Sequence, residues 1–264
     1  MVLLVVTLAG CTKNETNNQC TDSAQCGNGN KSIQGSKPTA MLEVAKLEAE
    51  IREGVPMKQV DNTYGIDAKP VEIKGGGLGV HIDITVKNLG SNPAFIPKVI
   101  MTFRKSGYPE PCVGIGGPLV TTATYSFTIP DDQPIESDGS YLHKTPFTLS
   151  KEVTHEIPPN KYEKFTLTVG PETVVDQANP WFGVLDITLE RDGGKKVKTG
   201  PLAVVNTGGN SMFYPDGDSW FIDKKNNPEC MKRNALAIRE IMKTPGLTVS
   251  KEFASLDKAL SAYL

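Results

Sequence analysis

The sequence lacks any apolar run approaching the roughly 20 residues that a membrane-spanning helix requires, so a spanning helix is not expected. It also lacks a charge bias: 28 Lys and Arg against 30 Asp and Glu leave a net charge of −2. No basic surface therefore argues for nucleic acid or for anionic lipid as a partner. Histidine is scarce. His81, His143 and His155 each stand alone, with no His-Glu-x-x-His or paired-cysteine context, and are read as solvent-facing or hydrogen-bonded side chains, not metal ligands. No Gly-x-Ser-x-Gly elbow is present, which removes the usual support for an α/β-hydrolase nucleophile. Strand and helix patterns do not alternate, so a doubly wound nucleotide-binding fold is not indicated. The run Gly75-Gly76-Gly77-Leu78-Gly79 lacks the Lys-Ser/Thr ending of a phosphate loop and is followed by a β pattern, so it reads as a hairpin end. Asp131 and Asp132 are neighbours in a turn, which says nothing about the spatial pair that glycoside hydrolysis needs.

What is present is period-two alternation. Val80, Ile82, Ile84 and Val86 alternate with His81, Asp83, Thr85 and Lys87, and Val99, Met101 and Phe103 repeat the pattern after an Asn/Gly/Pro break. Such spacing places one set of side chains on a single face, as in a half-buried strand. These two runs are expected to pair as antiparallel neighbours. Ala68–Lys74, Tyr125–Ile129, parts of Tyr141–Leu149, Phe165–Val169 and Val184–Arg191 add further strands. Asp192-Gly193-Gly194 then turns the chain into a return strand through Val197, Leu202 and Val204. Seven to nine short strands bounded by turns predict an all-β antiparallel sandwich. The strand end Ile84-x-Val86-x-Asn88-x-Gly90 resembles that of Ig-like modules, which implies an Ig-like sandwich of the kind that recurs in secreted and surface-anchored proteins; the resemblance carries no catalytic residues.

Helical signals flank the strands. Val44, Leu47 and Ile51 recur at helical spacing with charges opposite, and Gly54 and Pro56 follow, predicting an amphipathic helix over 39–53 that packs on its own sheet. Asn227-Pro228-Glu229 carries an Asn cap, Pro at the first helical position and an acid at the N-terminus. Ala235, Ile238 and Met242 make its apolar stripe. Ser250 caps a last helix with Phe253, Leu256, Leu260 and Tyr263 on one side. The two are expected to fold back as a helical hairpin over a sheet face or edge, which would also protect that edge.

The first ten residues are apolar, too short to span, and end in small residues before Cys11. Leu8-Ala9-Gly10-Cys11 resembles the lipobox of prokaryotic lipoproteins, bacterial or archaeal. The resemblance implies a signal peptide over 1–10, a diacylated Cys11 as mature N-terminus, and a lipid-anchored position on the extracytoplasmic face of the cell membrane. Two acyl chains suffice for stable anchoring where one would not. No Lys or Arg precedes the apolar run, so the true start is expected upstream of Met1. Residues 11–38, rich in Asn, Gly, Ser, Lys and Thr, read as a flexible tether. Beyond Cys11 an even set remains, Cys20, Cys26, Cys112 and Cys230, with three possible pairings. An oxidising exterior favours disulfides. Cys20–Cys26 as a local loop and Cys112–Cys230 as a staple from sheet to C-terminal helix are the expected pairs.

The expected organisation is thus 1–10 signal peptide, 11–38 tether, 39–54 helix, 55–206 sandwich and 207–264 aromatic, acidic loop with the helical hairpin. In that loop Asp216, Asp218 and Asp223 are hard oxygen donors able to share a Ca²⁺, against a plain Asp/Gly turn, since the spacing is not that of an EF-hand. Phe213, Tyr214 and Trp220 read either as a platform for a sugar or peptide or as a plug where the helices dock. The functional expectation is a non-enzymatic binding or assembly module whose partner is an envelope protein or polymer, with no nucleic acid partner and no cofactor beyond the Ca²⁺ considered. The competing class is an exported hydrolase acting on envelope glycan or peptide.

Overall fold

A computed structural model describes residues 40–60, 70–110, 112, 125–138, 141–175 and 179–264. Cys11, the tether and the Cys20–Cys26 pair lie outside them. Residues Thr39–Leu264 form one unit, mostly β, in several sheets with two C-terminal helices. In chain order the strands are β1 (Leu42–Val55), β2 (Lys58–Val60), β3 (Val71–Glu72), β4 (Gly77–Asn88), β5 (Ala94–Gly107), β6 (Tyr125–Ile129), β7 (Phe147–Ile157) and β8 (Tyr162–Pro171). Then follow β9 (Thr173–Val175), β10 (Phe182–Glu190), β11 (Lys196–Lys198), β12 (Leu202–Val205), β13 (Phe213–Asp216) and β14 (Ser219–Ile222). Helix α1 (Pro228–Met242), strand β15 (Thr248–Val249) and helix α2 (Lys251–Leu260) complete the chain.

One sheet has the order β1-β4-β8-β6 and another β15-β12-β10-β5-β7, with β11 also paired to β10. They share a core. Val80, Ile82, Ile84 and Val86 of β4 and Leu167 and Val169 of β8 are buried in one cluster with Val99, Met101 and Phe103 of β5 and Leu185, Ile187 and Leu189 of β10. The alternation read from the sequence is therefore an inward face in each case, and the two faces meet across the core.

Two expectations are corrected. The segment 39–53 is not a helix but the edge strand β1, paired antiparallel with β4 from Leu42↔Asn88 to Val55↔Gly77. A bulge between Val44 and Lys46 inserts one residue. Inward positions therefore run Leu42, Val44, Leu47, Ala49 and Ile51, and the step of three at the bulge imitates helical spacing. Pairing to the open edge of β4 overrides the helix propensity of Glu, Ala, Lys and Leu. Second, β4 and β5 are not ladder neighbours: β4 lies between β1 and β8, β5 between β10 and β7. The break at Asn88–Pro93 carries the chain from one sheet to the other. Asn88, fully buried, holds that crossing with four hydrogen bonds, accepting from Met41 N and Gly90 N and donating to Asn92 O and Ile157 O.

The C-terminal helices begin where the caps place them. The Asn227 side chain accepts from Glu229 N and Cys230 N, and Ser250 Oγ accepts from Phe253 N. Both helices cover the outer face of β10 and β12, where Phe182, Val184, Ala203 and Val205 pack with Met231, Ala235, Ile238, Phe253, Leu256 and Leu260. Strand β10 is thus buried on both faces. Within the expected strand 68–74, Val71–Glu72 is strand and pairs with β2. Gly75 and Gly76, both at positive φ, turn the chain into β4, not into a helix. Among the described residues, no helix is long and apolar enough to cross a membrane.

Candidate functional site

A concavity lies where the end of β5 meets α1. After Gly107 the chain runs as Tyr108-Pro109-Glu110 alongside the first turns of the helix. Three devices hold it there. A disulfide joins Cys112 to Cys230 across a sequence separation of 118 residues, as expected. The Asn234 amide accepts from Glu110 N at 2.8 Å and donates to Glu110 O at 2.9 Å, standing in for a paired strand. The Arg233 guanidinium grips the Glu110 carboxylate in bidentate fashion, with Nε 2.7 Å from Oε2. That contact pulls the Glu110 carboxyl below its usual range. Between these walls is a cleft of about 430 Å³, lined by Tyr108, Pro109, Tyr141, Leu142, Phe182 and Ala237 among others. Its size is that of an ordinary small-ligand pocket. Burial, and then the charge of Asp131, push the Tyr108 phenol up to about 12, so it remains neutral. Tyr141 stands half-exposed at the mouth.

Next to the cleft is a contact with nucleophile–base geometry that sequence reading missed. Ser106 Oγ lies 2.8 Å from His143 Nδ1, and the Trp181 indole donates to the same oxygen at 2.9 Å. All three are buried, Ser106 to 99 %. Trp181 donates to the serine oxygen, the His143 tautomer sets which way the Ser106–His143 bond runs, and burial pushes the His143 imidazole down, toward its neutral form. The arrangement satisfies three buried polar groups and leaves the serine no path to a substrate. Of the other histidines, His81 Nδ1 lies 3.1 Å from Gly79 O, whereas His155 packs on Phe165 at 5.0 Å and its buried Nε2 has no hydrogen-bond partner among the described residues, contrary to the expectation of a solvent-facing or hydrogen-bonded side chain.

The aromatic loop is a two-stranded hairpin, β13 with β14. Pairing sorts its side chains by face. Phe213 and Trp220 point inward, 5.1 Å apart and buried, and the indole donates to Glu252 O. Tyr214 instead stacks obliquely on the exposed Phe221 on the other face. The three predicted platform residues therefore do not form one surface; two are the plug on which α2 docks. Asp216 and Asp218 sit at the hairpin turn, while Asp223 lies beyond its other end, bonded through its backbone to Met212. Four residue pairs, roughly 13 Å, separate Asp223 from Asp216, so the three carboxylates do not converge. Among the described residues, no group of three or more His, Cys, Asp or Glu is placed to hold a metal.

A second groove, of about 370 Å³, lies on the outer face of the β1-β4-β8 sheet. There Asp83 receives Lys164 Nζ at 2.7 Å, Arg52 Nη2 at 2.9 Å and Thr166 Oγ1 at 2.6 Å. Burial would raise this carboxyl, but the three donors outweigh it and hold it at about 2.

Fold and cleft define the class: a mostly β domain with two helices clamped over one sheet and a preformed cleft along the clamp. No family model matches the chain, and no curated protein matches it. Among solved structures it is similar to a structural-genomics target named SoR45 at 13 % identity, covering 62 % of this chain and 85 % of the other, with a TM-score of 0.26. The sporulation control protein Spo0M from Bacillus subtilis is similar at 11 % identity, over 76 % of this chain and 56 % of the other, with a TM-score of 0.27. A structural-genomics target assigned as an ApaA protein from Bordetella pertussis is similar at 8 % identity, over 61 % and 92 %, with a TM-score of 0.24. Likenesses at this level carry no argument about function.

Proposed function

We propose that this chain is a lipid-anchored, extracytoplasmic binding or assembly module built on an Ig-like sandwich, with an envelope protein or polymer as partner. The observation that carries the binding reading is the clamped cleft. Its walls, distant in sequence, are fixed by a disulfide, an ion pair and two amide hydrogen bonds, so it stands open without a ligand to organise it. The Glu110 carboxylate at its edge is committed to Arg233, and the Ser106–His143 contact is buried, which favours binding over hydrolysis. The Ig-like reading draws support from strand order, since β1-β4-β8-β6 and β12-β10-β5 correspond to the two sheets of a constant-type Ig domain. It departs at β6, which pairs parallel to β8, and in the second sheet, where β7 is added beyond β5 and β15 beyond β12. Anchoring rests on Leu8-Ala9-Gly10-Cys11.

Two measurements test this. Mass spectrometry of the native protein is expected to find acyl mass on Cys11, and an unmodified Cys11 refutes the anchor. Calorimetry against purified envelope glycan and peptide fragments is expected to give binding that Tyr141→Ala weakens about tenfold, the loss of one aromatic contact. Heats indistinguishable from dilution with every fragment refute the cleft as the site.

A further inference from the structure

The edge of β1 differs from the other long edge in the molecule. Strand β7 is guarded: Lys151 lies opposite the inward Val99 and its ammonium reaches across to Ser126 O on β6. An inward lysine is a standard obstacle to strand addition. Strand β1 carries no inward lysine between Leu47 and Ile51, where its inward residues are Leu47, Ala49 and Ile51 and no proline interrupts it; the nearby lysine, Lys251 of α2, lies 3.4 Å from the outward Glu50 carboxylate.

The backbone there is oriented outward. Ile51 N donates at 3.1 Å to Oε1 of Glu252, on the first turn of α2, so its N–H points away from β4. In an antiparallel ladder that direction repeats every second residue. The register from Leu47↔Ile84 to Ile51↔Val80 is unbroken. Leu47 and Ala49 therefore present N–H and C=O groups to the same side, and among the described residues neither has a ladder partner there. The Glu252 carboxylate already occupies the place a partner strand's carbonyl would take. Its second oxygen, Oε2, is buried and has no hydrogen-bond partner among the described residues, and the residue is 94 % buried. The groove of about 370 Å³ begins at this point, with Leu47, Ala49 and Glu50 on one side and Val249 and Lys251 on the other.

We infer that the Leu47–Ile51 edge of β1 accepts an extended peptide from a partner protein as an added strand, ending against Glu252. Only an extended backbone offers carbonyls and amides at the two-residue repeat this row requires. A second copy of the chain does not fit. Antiparallel pairing centred on Ala49 sets Glu48 against Glu50 and Lys46 against Arg52, like charge on like. Centring on Leu47 brings Ala49 against the bulge at Ala45. The partner segment is one that alternates β-branched residues facing inward with Lys or Thr beside Glu48 and Glu50, exchanging with the Lys46, Arg52 and Lys251 contacts those carboxylates make in the free chain. This deepens the binding-module reading and rests on it for the existence of a partner.

The test uses the whole chain and a synthetic peptide alternating Val with Lys and Thr, blocked at both ends, read by amide hydrogen exchange and by titration. The expected result is that the peptide slows exchange at Leu47 and Ala49 about tenfold or more, a level set by two new backbone hydrogen bonds. N-methylation at alternate peptide residues on the bonding side weakens binding about tenfold or more, while N-methylation on the opposite parity leaves it unchanged. Glu252→Ala, which frees Ile51 N, extends the protection to Ile51. Unchanged exchange at Leu47 and Ala49, equal sensitivity to both methylation patterns, or protection that appears with protein concentration alone overturns the inference. Protection of β1 together with an unmodified Cys11 sinks the lipid anchor and leaves the edge site standing. Calorimetric binding at the cleft with β1 unprotected sinks the edge site and leaves the binding-module reading standing.

Discussion

Asn88→Ala removes a side chain that uses all of its hydrogen-bonding capacity, two donors and two acceptor positions. Its partners are Met41 N at 3.3 Å, Gly90 N at 2.9 Å, Asn92 O at 2.7 Å and Ile157 O at 3.0 Å. At about 1 kcal/mol net per bond, the four sum to about 4 kcal/mol. Met41 and Asn92 are exposed and recover water once released, whereas Gly90 and Ile157 are buried and do not. The expected loss is therefore about 3 kcal/mol, weighted to the two buried partners. Asn88→Asp separates hydrogen bonding from packing, because the side-chain volume is kept while the two donor hydrogens are lost. The introduced carboxylate faces the carbonyls of Asn92 and Ile157, so this variant is expected to be at least as destabilised at neutral pH, and less so as pH falls toward its protonation. Guanidinium unfolding followed by tryptophan fluorescence gives both values, with the slope unchanged and the midpoint lowered. A loss under about 1 kcal/mol for Asn88→Ala, or wild-type stability for Asn88→Asp, refutes the view that this residue holds the crossing between sheets.

Asp83 couples stability to acid. Its folded carboxyl, held at about 2, lies below the ordinary value of 3.8, so its stabilisation is present above about pH 4 and disappears as pH falls through about 2. The shift corresponds to about 2 kcal/mol; Asp83→Asn should show that deficit at pH 7, and a gap that fails to narrow between pH 4 and pH 2 counts against it. Replacing both Cys112 and Cys230 by Ala opens a loop of 118 residues and is expected to cost about 3–4 kcal/mol; thermal unfolding with and without reductant checks this, and reductant should not affect the variant. At Gly208, φ is +62° and a Cβ would stand 2.5 Å from Pro180 N, whereas at Gly217, φ +56°, a Cβ meets nothing within 4 Å. Gly208→Ala is therefore expected to lose about 2 kcal/mol or more and Gly217→Ala only about 1 kcal/mol; equal losses in chemical denaturation would show that the contact with Pro180 relaxes freely.

Some of this was readable in the chain because the signal was local. The caps Asn227 and Ser250 sit within three residues of the amides they satisfy, so α1 and α2 announce themselves. The hairpin β10–β11 follows from Asp192-Gly193-Gly194 between alternating runs. Cys112–Cys230 was expected as a staple from sheet to C-terminal helix, one choice among three possible pairings, and the disulfide is present. The edge strand β1 was not, because its bulge converts a period of two into a step of three that a one-dimensional pattern cannot tell from a helix. The Ser106–His143–Trp181 contact was equally hidden. Its members come from the end of β5, a loop and the approach to β10, and no spacing rule joins them.

By itself, then, the sequence determined which residues turn inward, where the two C-terminal helices begin, and that chemistry based on a known catalytic or metal motif was not indicated. Periodicity and capping depend only on side chains a few residues apart, and a linear text preserves such distances. Which strands became neighbours, which edge was left unguarded, and how Tyr108 came to face α1 were decided only by the tertiary structure. Those outcomes depend on the competition among sheet edges for partners and on two apolar faces closing over one another, interactions between residues far apart along the chain, such as Val80 with Val169 and Glu110 with Asn234.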